Sequence, residues 1–168
     1  MNPIKLIQKS KDSSFYLWLL NTGLNRMIPF NRPHGFRIMQ IDTGSIKVKL
    51  PFKRKNQNHI RGLHACAMAT LAEYATGLTL ISCLDPKAYR IIMQKIQMEY
   101  FYQGKKDSFA TFSITDTWLK KNVLDIVESG NPVIVPCIID IYDIDNNKLA
   151  TGNISWQIKS WKNVKTKA

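Results

Sequence analysis

Apolar and polar positions alternate with period two in several stretches of the chain and lose all periodicity in one. Ile46, Val48 and Leu50 alternate with Lys47 and Lys49, and Ile154, Trp156 and Ile158 alternate with Ser155, Gln157 and Lys159. Both patterns predict half-exposed strands. The first joins an apolar run over 36–42 across Thr43 and Gly44, which predicts a hairpin. A second strand pair is predicted over 132–144 and 148–161, turning at Asp145, Asn146 and Asn147. Residues 89–102, rich in Ile, Met, Tyr and Phe, read as one long strand that turns through Gln103 to Lys106 into another over 108–115. Helical spacing predicts an amphipathic N-terminal helix over 13–28, capped by Asp12, Ser13 or Ser14, and a second helix over 116–129 between Thr115 or Asp116 and Gly130. The N-terminal helix suits packing on the domain, with a membrane-surface or lid role as the alternative.

Residues 63–81, LHACAMATLAEYATGLTLI, have no polar face, so as a helix they are expected to be buried all round. A membrane span is one reading of such a run, weakened by His64, Glu73 and several Thr and Ser residues. Glu73 is the residue to explain, because a carboxylate inside an apolar segment is costly to desolvate. It either pairs with a distant Lys or Arg as a structural ion pair or serves chemistry. His64 and Glu73 are nine residues apart, which puts them on opposite sides of one helix and about 13 Å apart along its axis. One copy of the helix cannot bring them together, whereas two copies side by side, related by a two-fold axis, could. The whole order of elements predicts one α+β domain over 1–168, an antiparallel sheet wrapped around a central helix, with a basic tail over 162–168.

The composition, 45% hydrophobic and 21% charged over 168 residues, is that of a soluble globular domain. Cys66, Cys83 and Cys137 are odd in number and lie in apolar runs, which suits reduced thiols in a cytoplasm. No Cys or His spacing suggests zinc, so no metal is expected. The apolar patch from Phe15 to Leu20 is too short for a signal peptide.

The segment NHIRGLHACAMATLAEYATG, 58–77, resembles the hotdog-fold acyl-CoA thioesterases of the phenylacetate-degradation type. Their signature runs N-x-x-G-x-x-H-G-G, with an acidic residue nine positions after the His and A-x-G soon afterwards. Asn58, His64, Glu73, Ala75 and Gly77 stand in register with it. The stretch IQMEYFYQGKKDSFATFSI is similar to the family's long strand, turn and return strand. The N-terminal helix and DIYDIDNNKLATGNISWQI look more like a branch of that superfamily defined only as a domain of unknown function. The resemblance covers about 13–160.

What it implies is a hotdog fold in a homodimer or tetramer, with an active site at the subunit interface and an acyl-CoA or acyl-carrier thioester as substrate. Coenzyme A would enter as part of the substrate, with no separate cofactor. Glu73 would act as general base or nucleophile, supported by Asn58 and His64, while backbone N–H groups near Ala65 and Cys66 would polarise the carbonyl at the helix start. The chain departs from the pattern at Ala65 and Cys66, where the family has Gly-Gly, and at Arg61, where it has Gly. Cys66 could be a nucleophile, but packing is the expected role.

Charge is unevenly placed. Residues 1–62 hold twelve Lys and Arg against Asp12 and Asp42, a net +10 out of +12 for the chain. Such a balance suits nucleic acid or an anionic membrane in general. No RNA-binding motif accompanies it, so no nucleic-acid partner is expected. Lys53, Arg54, Lys55 and Arg61 flank the signature and could hold the phosphates of coenzyme A, or else form a solvated basic surface. The alternative function is a non-catalytic acyl-thioester binding module that lost the glycines. A hydratase is disfavoured by the lack of an H-x-F-P loop.

Overall fold

The computed structural model describes residues 3–164. The chain runs α1 (Pro3–Lys9), α2 (Ser14–Met27), β1 (Arg37–Asp42), β2 (Ser45–Leu50), α3 (Ala65–Cys83), β3 (Tyr89–Tyr100), β4 (Ser108–Ser113), α4 (Asp116–Leu119), α5 (Asp125–Glu128), β5 (Val133–Asp143) and β6 (Lys148–Ser160). A π-helical turn, Lys120–Leu124, joins α4 to α5 without a break, so the helix expected over 116–129 is present but widened in its middle. The short α1 was not foreseen from the sequence. Ser13 and Thr115 cap α2 and α4 through their side chains. Of the expected basic tail, residues 165–168 lie outside the described part.

All six strands form one antiparallel sheet in the order β1-β2-β4-β5-β6-β3. The alternation read from the sequence sets its faces: Ile46, Val48, Leu50, Ile154, Trp156 and Ile158 are buried against α3. The helix carries Leu71, Ala72, Ala75 and Leu80 into that core with no exposed surface. This is the hotdog arrangement of a sheet wrapped around a helix. Of the described helices, α3 is long and apolar enough to cross a membrane, and the sheet buries most of it. Gly77 lets the sheet approach closely: a Cβ there would stand 2.8 Å from Cη2 of Trp156.

The two edges of the sheet differ. Edge strand β1 is sealed by α2, where the Asn21 amide donates to the Ile38 carbonyl (3.0 Å) and accepts from the Ile38 N–H (2.7 Å) as a neighbouring strand would. Edge strand β3, twelve residues long, pairs with β6 alone among the described residues. Within the sheet, β4 meets β5 only over Ser108, Phe109 and Ala110 before the two diverge. Pro136, which lacks an N–H, sits in the part of β5 that pairs with β6 alone.

Burial of α3 is incomplete, contrary to the all-round burial expected from its sequence. Ala65 and Cys66 are exposed, and Ala69, Thr70 and Glu73 half-buried, in a stripe along one side. Five strands, from β2 through β4, β5 and β6 to β3, pack on the helix and leave this stripe open within one chain.

Candidate active site

The signature residues gather at the start of α3 and in the loop before it. His64 is the N-cap: its Nδ1 accepts from the Cys66 N–H at 3.1 Å, which places the ring proton on Nε2. The Ala65 N–H, the first of the helix, has no partner among the described residues. An unpaired N–H at the positive end of a 19-residue helix suits an oxyanion. Of the two backbone donors expected at Ala65 and Cys66, the first is open and the second is occupied by His64.

Asn58 holds the loop. Its Oδ1 accepts from the N–H groups of Ile60 (3.1 Å) and Gly62 (3.0 Å), and its own N–H donates to the Gly62 carbonyl. Arg61 lies at the tip with φ of 61°, in the left-handed region that glycine adopts at least cost. Arg61 thus stands where the resembling signature has glycine, in a conformation that glycine would adopt more readily. Behind the loop Asn56 is fully buried and donates to the carbonyls of His34 and Pro51. Its Oδ1 lies 2.9 Å from His34 Nδ1, and its carbonyl accepts from the His64 N–H at 2.8 Å. Asn56 therefore ties three segments together at the helix start.

Glu73 sits on the open stripe of α3. Burial pushes its carboxyl above the ordinary carboxylate range. The ion pairs among the described residues are Lys49–Asp107, Lys106–Asp145, Lys120–Asp125 and Lys148–Asp140, so the structural pairing considered for Glu73 is absent. The structure does not bring Glu73 to Asn58 and His64 within one chain, since more than two helical turns separate them. Inner-face residues of β3, among them Met93 and Tyr100, are also exposed beside that stripe.

Three adjoining clefts surround the loop. One of about 330 Å³ is apolar and aromatic, lined by Ile60, Ala65, Met68, Tyr100 and Tyr102, with Asn58 at its rim. A second, of about 460 Å³, also contains Asn58 and is lined by Arg54, Gln57, His59 and Arg61. The third, about 550 Å³, brings Lys53, Arg54 and Lys55 together with Arg32 and Pro33. Burial first, then the nearby charges of Lys55 and Arg37, hold the Lys53 ammonium below its ordinary range. Four basic residues singled out in the sequence thus line two clefts that share Arg54.

Sequence reasoning missed Arg32, Asn56 and Tyr100. Arg32 is 21 residues away from Lys53, and nothing in the sequence links them. A lone Asn in a loop carries no signal either. Tyr100 closes the long strand, and its hydroxyl donates to the Ala65 carbonyl at 3.0 Å. Burial raises its ionisation range.

A family model described as a domain of unknown function, DUF4442, matches residues 17–158. Among solved structures, a Pseudomonas aeruginosa protein of unknown function, described as a probable thioesterase, is similar with a TM-score of 0.76 at 20% identity, over 84% of this chain and 94% of that one. A protein of unknown function from Chlorobaculum tepidum gives 0.72 at 15% identity over 94% and 96%. A thioesterase from Haemophilus influenzae gives 0.64 at 14% identity over 83% and 90%. The comparison with curated proteins found no match.

Proposed function

The chain belongs to the DUF4442 family, and on its hotdog fold we propose that it hydrolyses an acyl-CoA, or acyl-carrier, thioester with Glu73 as general base or nucleophile. The observation that carries this reading is a half-buried carboxylate with no ion-pair partner among the described residues, held above its usual range on the open side of α3. The thioesterase described from Haemophilus influenzae, with the same fold, is consistent with it.

The site is built between two copies. An open twelve-residue edge on β3 and an open stripe on α3 are what a two-fold partner would cover. Glu73 of one copy then faces the helix start of the other, which resolves the separation of about 13 Å within one helix. The thioester carbonyl lies at the Ala65 N–H, and Cys66 adds its N–H when the His64 ring turns away. Glu73 takes a proton from water as the water oxygen bonds to the acyl carbon. Collapse of the tetrahedral intermediate breaks the C–S bond, and the proton passes to the departing sulfur. Asn58 positions the loop that shapes both clefts. The apolar cleft takes the acyl or pantetheine part, and Lys53, Arg54, Lys55 and Arg61 take the phosphates. The reading includes a cytoplasmic location, in keeping with three free thiols.

A second reading, an acyl-thioester binding module without turnover, is favoured by one observation: the Cys66 N–H is already engaged by His64. An acyl-CoA hydrolysis panel run beside binding of a non-hydrolysable analogue separates the two. Turnover supports the enzyme; tight binding without turnover across the panel selects the module.

A further inference from the structure

The outward side of α2 carries an aromatic surface that neither the core nor the proposed dimer uses. Phe15 and Trp18 are 62% and 61% exposed, with ring centroids 6.1 Å apart. With Thr22 and Arg26 they follow helical spacing in one stripe, opposite Leu20 and the Asn21 amide that fastens α2 to β1. The two rings thus stand together on the solvent side of the helix. Burying such side chains is favourable, so their joint exposure marks a contact surface.

The charge around this surface says what kind. Residues 1–41 contain six Lys and Arg against Asp12 alone. Lys11 precedes the stripe and Arg26 ends it. None of these cations enters an ion pair among the described residues. The exposed isoleucines on the outer face of the sheet make a contrast, because the cleft beside Ile138 and Ile144 also contains Asp140 and Asp143. Phe15 and Trp18 on one helix face, with Lys11 just before the helix and Arg26 at its far end, suit the boundary of an anionic bilayer, where rings enter the headgroup level and cations meet lipid phosphates.

We propose that the outer face of α2, formed by Phe15, Trp18 and Arg26 with Lys11 just before it, docks this protein on an anionic lipid surface. The sheet order puts α2 beside β1 and the open edge at β3, so dimerisation through β3 leaves two docking faces free. The geometry suits an enzyme or carrier of acyl groups, yet the docking does not depend on that activity.

The test is co-sedimentation of the full chain with phosphatidylcholine vesicles, with and without about one third phosphatidylglycerol. The expected result is binding to anionic vesicles about ten-fold or more above neutral ones, lost on raising the salt. Phe15→Ser with Trp18→Ser, and separately Lys11→Gln with Arg26→Gln, should each lower it about ten-fold, whereas Ile138→Ser should not. Should the aromatic pair of changes impair folding, judged by thermal melting, the charge pair decides. Equal binding to neutral vesicles, or wild-type binding by the folded variants, overturns the proposal. So does light scattering in which the aromatic variant loses a larger assembly while its vesicle binding is unchanged, for the face would then serve a second copy of the chain.

Discussion

Gly77 lies against the indole of Trp156, with room for no more than a hydrogen: a Cβ would come within 2.8 Å of Cη2 and 2.9 Å of Cζ2. The ring cannot swing away freely, because its Nε1 donates to Thr76 Oγ1 at 3.0 Å inside the core. The glycine of the signature thus brings helix and sheet together one turn beyond Glu73. Gly77→Ala should lower unfolding stability by about 1–3 kcal/mol through overpacking, read by urea titration with an unchanged slope.

Glu73→Gln should reduce hydrolysis by about a hundred-fold or more while acyl-CoA binding persists. Wild-type turnover by the variant would make Glu73 structural. The pH dependence follows from the direction of its shift. Burial raises the folded pKa above the unfolded one, so the folded state binds the proton more tightly. Its contribution to stability is full below the unfolded pKa and is lost as pH rises through the folded pKa. Thermal melts should therefore show Glu73→Gln gaining on the wild type as pH rises through that window. The acid limb of kcat/KM should fall at a pH above the ordinary carboxylate range.

Lys53→Ala with Arg54→Ala should raise KM for acyl-CoA well above the change for an acyl-pantetheine lacking the nucleotide. With kcat nearly unchanged, this is the signature of uniform binding. Added salt should imitate the change in the wild type. Equal effects on both substrates would put the nucleotide elsewhere.

Arg61→Gly separates backbone from charge. Relief of the left-handed conformation favours the variant by about 1–2 kcal/mol. The freer unfolded chain offsets about 0.4–1 kcal/mol of that. The melting temperature should hold or rise slightly while KM for acyl-CoA increases. A marked loss of stability would mean that the Arg61 side chain supports the loop.

Mixing Glu73→Gln with a helix-start variant, Asn58→Ala with His64→Ala, tests the shared site. In a heterodimer one site collects both lesions and the other collects neither, so activity should return towards half of wild type per heterodimer. No recovery after verified subunit exchange would place the site within one chain.

The sequence by itself determined the layered plan. Side chains at i and i+2 share a face, so Ile46, Val48 and Leu50, or Ile154, Trp156 and Ile158, declare which side of a strand is buried. An unbroken apolar run declares the central helix, and one carboxylate inside it stands out whatever surrounds it. Contacts across long stretches of chain leave no such local mark. Packing alone decided that Asn21 seals β1 through Ile38, that buried Asn56 anchors the loop before α3, and that Arg32 joins Lys53 in one cleft. It also decided that His64 spends Nδ1 on the helix cap and that Arg61 takes a left-handed backbone conformation. The open stripe of Ala65, Cys66, Ala69, Thr70 and Glu73 belongs to the same class. Apolarity along a helix says that its sides prefer burial, but only the closure of the sheet around it decides which side one chain leaves uncovered.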